Sequence, residues 1–164
     1  MPGPRQAVAM PVAGLLFRPG RPDAGPGAEL LDAFVGEIEG LYEPGFVGRS
    51  PSATPRDFAP PGGAFLVGYL ASEPVACGGI KRLESGVCEV KRMYVAPVAR
   101  SRGVARRLLE ALEAAARELG YARARLDTGP RQPSARALYE SAGYRAIADY
   151  NANPYAAFWG EKAL

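Results

Sequence analysis

Apolar residues recur along this chain with two different periods, and the switches between them mark out its elements. Short apolar or alternating runs predict strands at 13–17 (AGLLF), 64–71 (AFLVGYLA), 74–83 (PVACGGIKRL) and 87–96 (VCEVKRMYVA). Helical spacing takes over at 28–42, where Leu30, Leu31, Phe34, Ile38 and Leu41 recur, and is clearest at 103–119. There Val104, Leu108, Leu112, Ala115 and Leu119 form one stripe. Arg106, Arg107, Glu110, Glu113 and Arg117 lie largely outside it, and Gly120 ends the helix. YARARLDTG predicts a further strand, 131–142 a helix closed by Gly143, and YRAIADY and YAAFWGEK two last strands.

The punctuation between these runs orders them. Residues 1–11 hold three prolines and little pattern, which predicts a frayed tail, with 12–164 forming a single domain. The stretch 43–63, rich in Pro, Gly and Ser, reads as a long loop with at most a short helix, and Ser72–Glu73 as a tight turn. Gly78 and Gly79 inside a strand predict a bulge or a close backbone approach. The order predicts an α/β chain with a mixed sheet. Its strands near 90 and 125, joined by a helix, should run parallel with a right-handed crossover.

Composition narrows the chemistry. At 164 residues the chain is long enough for one well-formed core. Its formal charge of +3 would suit phosphate or nucleic acid but establishes neither. There is no histidine, which excludes His-based triads, His-ligated metals and imidazole bases. No metal is expected, and proton transfer falls to Glu, Asp, Tyr, Cys or Lys. Cys77 and Cys88 have neither disulfide nor metal spacing. Hairpin register places Cys88 opposite Lys81 or Arg82, so both are expected as free, buried thiols. No leader pattern and no membrane-length apolar run is visible, so a cytoplasmic protein without a membrane partner is expected.

The strand-to-helix joint carries the candidate site. Arg100, Ser101, Arg102, Gly103, Val104 and Ala105 lie where the strand's carboxyl end meets a helix N-terminus. Free backbone N–H groups, the helix dipole, two arginines and a glycine without a Cβ make an anion cradle for phosphate or pyrophosphate. It is neither a P-loop, since no Gly-x-x-x-x-Gly-Lys occurs, nor a dinucleotide fingerprint, since Gly-x-Gly-x-x-Gly is missing.

EVKRMYVAPVARSRGVARRLL resembles the acetyl-CoA-binding core of the GNAT superfamily of N-acyltransferases, with its Arg/Gln-x-x-Gly-x-Gly/Ala signature. LDTGPRQPSARALYESAGY is similar to that superfamily's next strand, helix and Leu-Tyr-x-x-x-Gly-Tyr/Phe close. The resemblance covers about 64–147; Ala105 stands where glycine is commoner and Gln132 where asparagine often sits. It implies a mixed, mostly antiparallel central sheet with one helix-joined parallel pair and helices on both faces, and acetyl-CoA as cosubstrate. The amides of 100–105 would hold the pyrophosphate, with Arg106 reaching a CoA phosphate or simply lying on an exposed helix face. The main chain of Met93, Tyr94 and Val95 would pair with the pantetheine arm, and the Val95 amide would polarise the thioester carbonyl. Tyr139 matches the tyrosine that protonates the leaving thiolate. Glu89 matches the glutamate that draws a proton from the amine, usually through water; its other reading is an ion pair with a neighbouring arginine.

An amine attacks only when neutral, so a carboxylate near it suits the chemistry. Asp127 and Thr128, ending a strand before a glycine, read instead as a turn cap. Neither cysteine has an activating neighbour, so direct transfer in a ternary complex is expected rather than an acyl-cysteine. The acceptor is expected to be a small amine. Glu37, Glu39, Glu43 and Asp57, partly offset by Arg49 and Arg56, would draw in a cation, and Phe34, Tyr42, Tyr150, Tyr155 and Trp159 would form walls or core. Three other readings stay open: a peptide acetyltransferase, a non-catalytic acyl-CoA sensor, and a nucleic-acid binder using the arginines of 100–107 and 117–125. The last has no recognisable module, so no nucleic-acid partner is expected. A homodimer stays open.

Overall fold

The computed structural model describes residues 12–42 and 53–164. The tail expected at 1–11 and the first part of the loop expected at 43–63 lie outside these residues. Strand β1 (Leu15–Pro19) leads into helix α1 (Gly25–Leu41). A 3-10 turn (Pro55–Phe58) then precedes β2 (Ala64–Leu70), β3 (Glu73–Glu84) and β4 (Val87–Val95). Helix α2 (Val104–Glu118) joins β4 to β5 (Arg123–Thr128), followed by α3 (Pro133–Ser141), β6 (Arg145–Ala146) and β7 (Phe158–Ala163). The strands form one sheet in the order β1-β2-β3-β4-β5-β7-β6, antiparallel except for the β4–β5 pair. This is the mixed, mostly antiparallel sheet with one helix-joined parallel pair that the sequence predicts.

Two cores lie on the two faces. Leu30 and Leu31 of α1 pack with Phe65, Val67, Cys77 and Tyr94. On the other side Leu108, Leu112 and Ala116 of α2 meet Ile80, Cys88, Val90 and Leu126. Leu108 and Leu112 are fully buried, and each contributes about 2 kcal/mol by leaving water.

A bulge in β4 decides which residues reach which core. Cys77 opposes Tyr94 and Gly79 opposes Lys91, so Gly78 alone faces two residues of β4. The extra residue, Arg92, has φ +59°, in the left-handed region. One added residue inverts a two-residue alternation. Cys88 and Val90 therefore join the α2 core, whereas beyond the bulge Tyr94 joins the α1 core and Met93 and Val95 turn toward α2. The two glycines opposite make room. A Cβ on Gly78 would lie 2.9 Å from Leu112 Cδ1, and one on Gly79 would lie 2.4 Å from the Phe58 ring. The close approach expected here is made by side chains of both layers.

Three expectations are corrected. Helix α1 begins three residues earlier than 28, because a proline in its first turn supplies a helical φ without needing a hydrogen bond. YRAIADY pairs only at Arg145 and Ala146. Beyond them Asp149 Oδ1 accepts from the amides of Asn151 and Ala152, and Asn151 Oδ1 from that of Asn153, so side chains take the donors a strand would use. Glu113, placed largely outside the α2 stripe, is buried. Its carboxylate is held by Lys162 Nζ at 2.9 Å and the Tyr144 hydroxyl at 3.1 Å. No helix among the described residues is long and apolar enough to cross a membrane.

Candidate active site

The site begins where two parallel strands part. β4 and β5 keep register only at Val87–Arg123, Cys88–Ala124 and Glu89–Arg125, while β5 stays paired with β7 as far as Thr128. A cleft of about 610 Å³ runs from the end of β4 past the turn into α2 to the start of α3. A smaller one of about 160 Å³ lies between the ends of β4 and β5. Both are walled by Phe34, Ile38, Met93, Gln132 and Tyr139, so they meet at these side chains.

The turn into α2 has the geometry of an anion cradle. Gly103 is the N-cap with φ +81°, Ser101 has φ +61°, and no side chain caps the helix. The first-turn amides are therefore left to an outside acceptor. A Cβ on Gly103 would meet nothing within 4 Å, so the backbone there is open to a ligand. Arg100, Ser101, Gly103, Val104, Ala105 and Arg106 line the larger cleft with Met93, Tyr94 and Val95. Arg102 is exposed and is not part of this wall. The Arg100 guanidinium donates to the Val95 carbonyl at 2.9 Å, pairs with Glu37 of α1 and lies over the Tyr94 ring. Arg106 donates to Ser141 Oγ.

Tyr139 projects from α3 to the junction of the clefts. It is buried, stacks edge-on with Tyr144, and its hydroxyl contacts Met93 Sδ at 3.9 Å. Burial, with the charge of Asp127 added, pushes the phenol up to about 12. The phenol thus keeps its proton at neutral pH and can donate it.

Glu89 lies outside the walls of both clefts and is 4% exposed. Its Oε2 accepts from the Tyr150 hydroxyl at 2.7 Å and from Asn151 Nδ2 at 3.2 Å, and its Oε1 pairs with Lys91 Nζ at 3.2 Å. The ion pair is with a lysine rather than the arginine considered from sequence. Tyr150 is in turn pushed up by burial and by the Glu89 charge.

The sequence reading undervalued the residues around Asp127. It is not a turn cap: Asp127 Oδ2 accepts from Asn151 Nδ2 and from Asn153 Nδ2 at 3.3 Å, and its side chain lines the smaller cleft. The capping work falls to Gln132 Oε1, which accepts from the Gly129 amide at 3.2 Å. A usable signal existed in DYNAN (149–153), a polar run that starts at the end of a stretch read as strand and continues past it. The five aromatics divide, with Phe34 and Tyr155 lining the smaller cleft. Tyr42 accepts from the Arg131 amide, Tyr150 serves Glu89, and Trp159 Nε1 donates to Asn151 Oδ1. The expected acidic rim does not assemble among the described residues. Glu37 is neutralised by Arg100, Asp57 accepts from the Thr54 amide at 2.7 Å, and the exposed Glu39 lines neither cleft; Glu43 and Arg49 lie outside those residues.

The two cysteines are free and buried. Burial pushes the Cys77 thiol up to about 12 and the Cys88 thiol up to about 11. Neither lines a cleft.

This geometry has relatives. The profile of the acetyltransferase (GNAT) family matches residues 25–144. An uncharacterized N-acetyltransferase of Escherichia coli, YjgM, is 38% identical over 96 residues, covering 57% of each chain. The IAA acetyltransferase of Azospirillum brasilense is 41% identical over 90 residues, covering 54% of this chain and 59% of its own. The match thus spans somewhat over half the length of these relatives. Among solved structures, a proposed acyl-CoA N-acyltransferase of Klebsiella pneumoniae superposes with a TM-score of 0.73 at 29% identity, covering 92% of this chain and 97% of its own. The profile match takes in the parted strands, the uncapped turn with its left-handed glycine and the buried tyrosine: the chain belongs to the acetyltransferase (GNAT) family.

Proposed function

We propose that the chain transfers an acetyl group from acetyl-CoA to the primary amine of a small molecule, by direct attack within a ternary complex. The observation that carries this reading is the shared wall of the two clefts, where Tyr139 and Met93 border both. A thioester entering along the larger cleft and an amine entering the smaller one would meet at these residues.

Acetyl-CoA supplies the activated acyl group. The residues fit it: the uncapped amides at the start of α2 suit its pyrophosphate, and the end of β4 offers main chain to its pantetheine arm. Tyr139, protonated at neutral pH, is placed to stabilise and protonate the leaving thiolate. Glu89, held by Lys91, Tyr150 and Asn151 outside both clefts, acts in this reading by fixing the far side of the smaller cleft. Its contact with the amine's proton would run through solvent. The two high-pKa thiols favour direct transfer over an acyl-cysteine. A small acceptor accords with the size of the smaller cleft and with the Azospirillum brasilense relative, an IAA acetyltransferase.

The test is release of free CoA from acetyl-CoA in the presence of arylalkylamines, amino acids, aminoglycosides and peptides, with products identified by mass. Turnover of a small amine is expected. Robust acetylation of peptides alone, or no turnover with any acceptor, would overturn the proposal.

A further inference from the structure

We infer that Asp127 holds the ammonium group of the guest in the smaller cleft, and that this guest is a primary ammonium on an apolar, single-ring-sized body. The inference rests on the acetyltransferase reading only in calling that guest the acceptor.

Asp127 sits near the carboxyl end of β5, beyond the point where β4 has left it. Its two oxygens have different surroundings. Oδ2 is fixed by the side-chain amides of Asn151 and Asn153, while Oδ1 makes no hydrogen bond. Among the described residues Asp127 has no ion pair, and no buried side-chain oxygen or nitrogen lacks a partner, so Oδ1 is accessible. Two amide donors thus hold a half-buried carboxylate with one oxygen left over.

Two cations, Lys91 and Arg92, share the wall of the smaller cleft. Lys91 is matched by Glu89, and the Arg92 guanidinium donates to the Ala53 carbonyl and covers the Phe58 ring. Asp127 is the carboxylate that lines this cleft. Asparagine amides orient the carboxylate without cancelling its charge, as a lysine or arginine would. About half of the wall is apolar, from Phe34, Ile38, Met93 and Tyr155 among others, and the rest is polar, with Thr128, Gln132 and Asn153 beside the charged groups; the volume of about 160 Å³ suits one ring rather than a peptide chain. A carboxylate-bearing guest would meet like charge. A neutral donor could hydrogen-bond the open oxygen but would lack the attraction of opposite charges.

Trp159, the chain's single tryptophan, pairs with Asp127 across the β5–β7 ladder and donates to Asn151 at 3.0 Å, so it reports on this site. The experiment titrates the full chain, in the presence of CoA, with benzylammonium and separately with benzyl alcohol. Trp159 emission and calorimetry are the two readouts. The unmodified protein should bind benzylammonium at least tenfold more tightly than the alcohol. Asp127→Asn should abolish that preference while retaining heat protection by acetyl-CoA; Asp127→Ser serves if the asparagine variant fails to fold. No preference in the unmodified protein, or a preference that survives the substitution, overturns the inference. Preference without turnover of any amine would remove the acetyltransferase reading and leave the ammonium site. Turnover without preference would do the reverse.

Discussion

Glu89 and Lys91, two residues apart on β4, close an ion pair of 3.2 Å with side chains only 5% and 17% exposed. Residues i and i+2 of a strand share a face, so the pair is built into the strand itself. Replacing Glu89 with Gln leaves the ammonium without its counter-charge and gives the Tyr150 hydroxyl a weaker acceptor. A loss of about 2 kcal/mol is expected, and Lys91→Met in the same chain should recover much of it. Urea denaturation measures both. Because Glu89 lies outside the cleft walls, turnover well below the melting temperature should fall less than about tenfold, short of the range for a lost general base. A fall of a hundredfold or more would make Glu89 the general base, acting through solvent.

Tyr139 gives a prediction in pH. Its phenol rises from 10.0 to about 12 on folding, chiefly through burial. A raised folded pKa means that the stabilisation is complete below the unfolded value and is lost as pH climbs through the folded one. Stability should therefore decline between about pH 10 and 12, by about 3 kcal/mol from this residue. Tyr144 and Tyr150, also pushed up by burial, steepen the decline. Tyr139→Phe should flatten part of it. At neutral pH the same variant should lose about 10²- to 10⁴-fold in turnover with acetyl-CoA affinity nearly intact.

What the sequence made legible follows from how local each feature is. α2 was readable because its stripe and its closing glycine are encoded within one stretch, and the cradle because a strand, a glycine and a helix follow one another directly. Glu113 was misplaced because its partners, Lys162 and Tyr144, come from distant segments. The set around Asp127 was missed for the same reason: Asn151 and Asn153 reach it from a turn 24 and 26 residues away. The bulge at Arg92 was only half legible. Gly78 and Gly79 announced an irregularity, but its inversion of the faces of Tyr94 and Met93 depends on pairing register.

Gly103 tests the cradle. At φ +81° a β-branched residue is strained whatever the space around it, and a Cβ there would meet no heavy atom within 4 Å. The cost of Gly103→Val is therefore backbone strain of about 1–2 kcal/mol, lowering Tm by roughly 4 °C. The chain relieves that strain by moving the turn, which disperses the α2 amides. Acetyl-CoA affinity should fall about tenfold or more, read from its heat protection. A protein that loses stability but keeps full affinity would place the cradle elsewhere.

The thiols decide between one transfer step and two. An acyl-enzyme needs a thiolate that can reach the thioester. Cys77 and Cys88 titrate near 12 and 11, with burial as the main cause in each. At pH 8 the thiolate fractions are on the order of 10⁻⁴ and 10⁻³, and neither side chain borders a cleft. The Cys77 thiol instead donates to the Arg92 carbonyl at the bulge, at 3.8 Å. An aromatic disulfide reagent should therefore modify both cysteines only as fast as the fold opens, and urea should speed the reaction. Incubation with acetyl-CoA alone should leave the chain's mass unchanged. An acetylated chain formed in stoichiometric amount, and discharged when an amine is added, would replace the ternary complex with a two-step mechanism.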